Sequence, residues 1–174
     1  AAANMEKFVI EGGVPLSGTV TPAGNKNAAL PLLACALLTD EDVTLHNVPA
    51  IRDTEALLEL LVDLGVTVEN LDRNTVKMNA ANVRKTHVDA DLAERIRASF
   101  LAAGPLLARF GSATMPPPGG DVIGRRRLDP HLDAFRALGA SVEHGKDIVI
   151  TAPDHGLTPC DFFMDEPSVM GTEN

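Results

Sequence analysis

The stretch "ALLELLVDLGVTVENLDRNTVKMNA", Ala56–Ala80, carries its own punctuation. Leucines recur at three- and four-residue spacing as far as Leu64, which predicts an amphipathic helix. Gly65 then stops it, because glycine takes the left-handed conformation of a helix end without steric cost. "VTVE" and "TVKMNA" follow on either side of a polar turn, the pattern of two short strands. The same order returns in "HLDAFRALGASVEHGKDIVITA", His131–Ala152. Gly139 answers to Gly65 at 74 positions further on, and Ala152 to Ala80 at 72. Self-similarity at such a distance marks one structural unit used twice.

Working outward, a longer apolar helix is predicted ahead of each copy, over Lys26–Leu38 and over Leu92–Phe110. Each runs into a strand, "DVTLHNV" in one and "SATMP" in the other. The unit is therefore strand, helix, strand, helix, strand, strand in about 72 residues. That is a mixed α/β (α+β) fold built of repeated βαβαββ units, with long helices inward and sheets outward. The first unit is placed at 22–90 and the second at 91–157. A third opens at 158–174, where "PSVMGTEN" parallels "PAGNKNAA". Residues 1–5 read as an expression remnant running up to Met5. A chain that stops at a helix start reads as the front part of a longer one.

Composition narrows the function classes. With 45% hydrophobic residues the chain can bury a real core, and a formal net charge of −9 argues against a non-specific nucleic-acid binder. No apolar run approaches the ~20 residues that span a bilayer, and no signal-peptide pattern opens the chain, so a cytoplasmic protein is expected. Cys35 and Cys160 read as buried free thiols rather than a disulfide, and neither they nor the five histidines show zinc-type spacing, so no metal is expected. In so acidic a protein an anion site has to be built locally, which makes clustered cations informative.

Three places qualify. "PAGNKNAAL" sets Gly24 and Asn25 before a helix whose first turn holds Lys26 and Asn27. Helix-start N–H groups beside a lysine suit a phosphate or carboxylate, although an ordinary cap with solvated neighbours has the same spacing. Arg97 enters the apolar run of the second long helix, where it either lies at the rim or aims at an anion. In the repeat alignment it falls within a residue or so of Lys26, and Glu173 and Asn174 approach the same place in the third copy. Three helix starts would then converge on one region. Last, "PPPGGDVIGRRRLDPH", Pro116–His131, is stiff, then flexible, then strongly basic. It reads either as a charged surface turn or as a closing loop that presents Asp121 just beyond Gly119 and Gly120.

Four separated motifs in order, "GNKNAALPLLACALL", "RIRASFLAAGPLLARFG", "PPPGGDVIGRRRLDPHLDAFRALGA" and "MDEPSVMGTEN", resemble the UDP-N-acetylglucosamine 1-carboxyvinyltransferases. These are the enolpyruvyl transferases that begin peptidoglycan synthesis, and the similarity runs from about Glu6 to Asn174. The resemblance implies an inverse α/β barrel of two similar domains, each of three units. Residues 6–21 would be strands packed with the second domain, which itself would lie beyond residue 174; without it they would be loosely held or mediate contacts between chains. It implies phosphoenolpyruvate and UDP-N-acetylglucosamine as substrates, no cofactor, and roles in cell-wall biogenesis, cell shape and division. Lys26 and Asn27 match the pair that contacts phosphoenolpyruvate and the reacting sugar. Arg97 matches an arginine at the diphosphate, and Arg126 the loop arginine bridging both substrates. Arg126, Arg127, Leu128, Asp129 and Pro130 match the stretch whose backbone frames the uridine, while Ser168 and Val169 match the next nucleotide contacts.

Two positions depart from the commoner family pattern. Asp121 stands where cysteine is usual, which implies a carboxylic proton donor and resistance to fosfomycin, an epoxide that alkylates the cysteine. Glu166 stands where a lysine is common, which puts that diphosphate contact in question, and Arg125 and Arg127 would restore the charge. A sibling enzyme, 3-phosphoshikimate 1-carboxyvinyltransferase, usually carries Asp-Lys-Ser where this chain has Asn25-Lys26-Asn27. A non-catalytic nucleotide-sugar-binding module is the third reading.

Overall fold

The computed structural model describes residues 7–119 and 127–174. Among these residues, six helices and six short strands follow one another in an order that repeats. Helix α1 (Lys26–Cys35) continues as a 3₁₀ turn (Ala36–Leu38) into strand β1 (Asp42–Leu45). Helix α2 (Arg52–Leu64) then leads to the hairpin β2 (Thr67–Asn70) and β3 (Val76–Asn79). The second round opens with α3 (Ala90–Arg95), a 3₁₀ segment (Arg97–Ala102) and α4 (Ala103–Phe110), followed by β4 (Ser112–Met115). Helix α5 (Asp129–Ala137) then precedes the hairpin β5 (Ser141–His144) and β6 (Ile148–Thr151), and α6 (Val169–Glu173) comes last.

Each round builds one three-stranded antiparallel sheet with its final strand in the middle: β1-β3-β2 in the first and β4-β6-β5 in the second. Thr67 pairs with Asn79 and Ser141 with Thr151, so the registers correspond. The hairpin loops account for the change in spacing from 74 to 72. Leu71–Thr75 connects the first pair, whereas the shorter Gly145–Asp147 connects the second. Both helix stops also share their hydrogen bonds. Val66 N–H donates to Leu61 and Gly65 N–H to Val62; Ala140 N–H donates to Phe135 and Gly139 N–H to Arg136. Such a stop requires positive φ, and Gly65 and Gly139 sit at +108° and +95°.

The core lies between the helices and the inner faces of both sheets. Leu33, Leu57, Leu60, Leu61, Phe100, Leu106 and Leu107 meet Met78, Met115 and Ile150 there. Alternation along β3 sends Val76 and Met78 inward and leaves Lys77 and Asn79 at the surface. Arg109 ties the two rounds together, its guanidinium donating to the carbonyls of Leu37, Thr39 and Ala80 at 2.9–3.2 Å. Those carbonyls belong to a 3₁₀ end and a strand end, where the regular ladders stop; that of Ala80 also accepts the Val83 N–H at 3.3 Å.

Several expectations need correction. The single helix expected over Leu92–Phe110 is three pieces, because Ile96 is extended (φ −144°, ψ 142°). Pro105 contributes to the tighter winding before α4, since its ring excludes a regular helical bond to Leu101. No strand precedes α1 among the described residues; residues 7–21, expected as strands only against a second domain, are exposed, Phe8 at 98% and Leu16 at 99%. A strand needs a paired edge, and none is offered to them among the described residues. In the second round the leading strand shrinks to one parallel bridge, His87 beside Thr114. Cys35 and Cys160 are free but exposed rather than buried. Cys35 shares with Leu32 and Leu38 an outer face of the helix that nothing described here covers.

Candidate functional site

Helix α1 begins at Lys26 because the Asn25 side chain accepts the Ala28 N–H at 3.1 Å while its carbonyl accepts that of Ala29. The start therefore faces outward with Lys26 and Asn27 on it. Lys26 turns to α2, where its Nζ lies 2.8 Å from Asp53 Oδ2.

The break at Ile96 aims the next cation. Arg97, first residue of the 3₁₀ segment, donates from Nη2 to the carbonyl of Arg127 at 3.1 Å. Arg127 in turn pairs through Nε with Asp129 at 2.9 Å, and its Nη1 lies 3.5 Å from Glu166. The Arg127 hydrogen bond holds the Asp129 carboxyl below its usual range. Ser168 starts α6 by accepting the Gly171 N–H on its Oγ at 3.0 Å. Helix α5 opens with Asp129 and Pro130 in its first turn, where a missing N–H costs nothing.

These starts surround one cleft of about 590 Å³. Of the residues singled out in the sequence, Asn27, Arg97, Arg127, Pro130, Glu166, Ser168, Val169 and Glu173 line it. Lys26, Leu128 and Asp129 do not: Lys26 reaches Asp53, Leu128 packs on the core, and Asp129 borders a smaller recess beside Arg127. Asp121, Arg125 and Arg126 lie outside the described residues. A larger groove of about 650 Å³, between α2 and the first hairpin, gathers Val48, Leu58, Val62 and Val68 but none of the expected residues. Size alone does not mark the site.

Glu166 lines the cleft opposite Arg127, so the acidic departure and one of the extra arginines meet. Two guanidiniums and the starts of four helical segments suit an extended anion, while Glu166 and Glu173, which line the same cleft, offset that charge. His131 was not among the expected site residues. It is 4% exposed, lines the cleft, and meets Phe100 edge-on with ring centroids 5.1 Å apart. Burial first, and Arg97 second, lower its pKa to about 4, so the ring is neutral at pH 7. Only its place two residues after Asp129 hinted at it, since its neighbours come from 3₁₀ and helical segments far along the chain.

Comparison with known proteins agrees with this architecture. The family model described as EPSP synthase (3-phosphoshikimate 1-carboxyvinyltransferase) matches residues 10–174. A protein of Bradyrhizobium diazoefficiens named UDP-N-acetylglucosamine 1-carboxyvinyltransferase is 53% identical over 168 residues, covering 97% of this chain and 38% of the relative. One of the same name from Treponema denticola is 48% identical over 170 residues, covering 98% and 39%. The chain thus spans about two fifths of the length of these relatives. Among solved structures, the enolpyruvyl transferase NikO of Streptomyces tendae aligns with a TM-score of 0.69 at 27% identity, covering 86% of this chain and 32% of that one. EPSP synthase of Acinetobacter baumannii shares the fold at a TM-score of 0.65 and 16% identity, covering 90% and 36%. Matched across nearly its whole length, with the strand order and the helix starts that build the cleft all within the match, the chain belongs to the EPSP synthase (3-phosphoshikimate 1-carboxyvinyltransferase) family.

Proposed function

We propose that the full-length protein transfers enolpyruvyl from phosphoenolpyruvate to the 3-hydroxyl of UDP-N-acetylglucosamine in peptidoglycan synthesis. Residues 22–90 and 91–157 form two copies of one unit in this reading, and 158–174 open a third. The observation that carries it is the meeting of Asn27, Arg97, Arg127, Ser168 and Val169 on one cleft. The names of the curated relatives favour the nucleotide sugar over shikimate 3-phosphate as acceptor.

Each residue has a role in the reaction. Arg97, the Arg127–Pro130 segment, Ser168 and Val169 hold the nucleotide diphosphate, while Lys26, Asn27 and Arg126 hold phosphoenolpyruvate against the sugar. Asp121 gives its proton to C3 of phosphoenolpyruvate, leaving C2 as an oxocarbenium-like centre. The sugar 3-hydroxyl attacks C2 and loses its proton. C3 then gives up a proton, the C2–O bond to phosphate breaks, and inorganic phosphate leaves. Cations around the phosphate and carboxylate stabilise the charge that develops. Turning Lys26 from Asp53 to a substrate anion exchanges one exposed ion pair for another at little cost.

Phosphate release by the full-length protein with phosphoenolpyruvate and either acceptor tests the reading. Turnover with UDP-N-acetylglucosamine is expected; turnover with shikimate 3-phosphate alone overturns it. Asp121→Asn is expected to lower turnover by roughly 10²–10⁴-fold, the range for a general acid. A carboxylate attacks an epoxide far less readily than a thiolate, so the wild type is expected to resist fosfomycin and Asp121→Cys to become sensitive. Normal turnover by Asp121→Asn removes Asp121 as the donor.

A further inference from the structure

The last described residue settles a question that the cleft arginines leave open, namely which nitrogen of His131 carries the proton. Asn174 Nδ2 lies 3.1 Å from His131 Nδ1. Two other bonds fix how that amide is turned. Its Oδ1 accepts the Gly104 N–H at 2.7 Å, and its Nδ2 donates to the Phe100 carbonyl at 2.9 Å. A backbone N–H can only donate and a carbonyl can only accept, so the NH₂ end must face the ring. His131 Nδ1 then has to accept, and the ring proton sits on Nε2.

Gly104 makes the arrangement possible. A Cβ built there would stand 2.1 Å from the Asn174 carbonyl oxygen and 2.5 Å from its Oδ1, so any side chain would push the amide away. Nε2 itself is not sealed in the core. Among the described residues it has no hydrogen-bond partner, yet no fully buried side-chain nitrogen or oxygen is left without one. It therefore keeps access to the surface, and the cleft is the space that His131 borders.

We infer that Asn174 is a positioning residue: it locks His131 as a neutral Nε2–H donor aimed at an oxygen of the bound nucleotide. The inference rests on the functional reading above only for the identity of that ligand. A ring with the proton on Nδ1 would turn a lone pair toward the cleft, where it would repel a phosphate or carbonyl oxygen. Phosphate and uracil oxygens share the acceptor chemistry, and the ligands of the test separate them.

The test uses full-length protein with ¹⁵N-labelled histidine. Long-range ¹H–¹⁵N correlation without ligand at pH 7 is expected to show His131 as the Nε2–H tautomer. Asn174→Asp, which presents an acceptor to Nδ1, is expected to move the proton to Nδ1 or to charge the ring. Affinity for UDP-N-acetylglucosamine is expected to fall by about three- to tenfold in His131→Phe, the worth of one neutral hydrogen bond, and to recover in part in His131→Gln. Loss seen with UDP but not with uridine places the acceptor on the diphosphate; loss with both places it on the nucleoside. An Nδ1–H ring in the wild type, or unchanged affinity in His131→Phe, overturns the inference. Failure of the wild type to bind UDP-N-acetylglucosamine overturns the functional reading instead, and the ligand-free spectrum still decides the tautomer.

Discussion

"ALPLLA" at Ala29–Ala34 and "AGPLLA" at Ala103–Ala108 occupy corresponding places in the two rounds, yet their neighbours treat them differently. Leu33 and Leu107 are both sealed, at 0% and 1% exposure. Leu32 is 50% exposed, while its counterpart Leu106 is fully buried. Helix α4 is pressed between the 3₁₀ turn after α1 and the β4–β6 side of its own sheet, whereas the outer face of α1 has no such cover among the described residues. Leu30 borders the cleft, while Gly104 in the matching position makes room for Asn174. Repetition supplies the scaffold, and departures from it shape the cleft.

The sharpest way to break the comparison is at the unequal leucines. Leu106→Ala should destabilise by about 2–5 kcal/mol in urea unfolding, the cost of a core cavity, while Leu32→Ala should stay within about 0.5 kcal/mol. Equal effects would mean that α1 is covered as α4 is.

Acid stability sharpens it next, because only the second round buries a histidine at its helix start. The folded ring stays neutral down to a pKa of about 4, whereas the unfolded ring takes a proton near 6.5. Between those values the unfolded state binds more protons, so stability falls as the pH drops from 6.5 toward 4 and the loss levels off below. The contribution is at most about 3 kcal/mol, at 1.36 kcal/mol per unit. His131→Phe should remove that part of the pH slope, measured as the difference from wild type; identical slopes would exclude it.

Arginines two residues apart provide a smaller test. Arg95 pairs with Glu59 at the surface, while Arg97 lines the cleft. Arg97→Ala should weaken UDP-N-acetylglucosamine binding about tenfold or more, as losing a charge-assisted hydrogen bond does, and Arg95→Ala less than about twofold. The smallest difference is between the helix stops. Both positions penalise a side chain through positive φ, but a Cβ at Gly65 would also come within 3.0 Å of the Asn82 carbonyl oxygen, against 3.8 Å to the nearest atom at Gly139. Gly65→Ala should therefore cost about 1 kcal/mol more than Gly139→Ala in the same unfolding assay.

Much of the scaffold was legible because its signals are local. Gly65 and Gly139 end helices by backbone conformation, and the strands after them alternate, so the hairpins fell where periodicity put them. The extended break at Ile96 was not legible, since the apolar spacing runs through it unbroken; the segments on either side of it pack against α2 and α1, which no local pattern shows. The exposure of Cys35 was hidden for a related reason: a helix face looks equally apolar whether or not something covers it.

By itself the sequence determined the repeated unit, the two helix stops and the set of polar residues at helix starts, all of which follow from backbone preference and short-range period. Only the tertiary structure decided which of those polar residues share a space. Lys26 and Asn27 are neighbours in the chain, yet one reaches Asp53 and the other lines the cleft. His131, Phe100 and Asn174 are far apart in the chain, yet they fix a single proton between them. Side-chain direction, burial and hydrogen-bond polarity are set by what packs around a residue, and no local pattern encodes those neighbours.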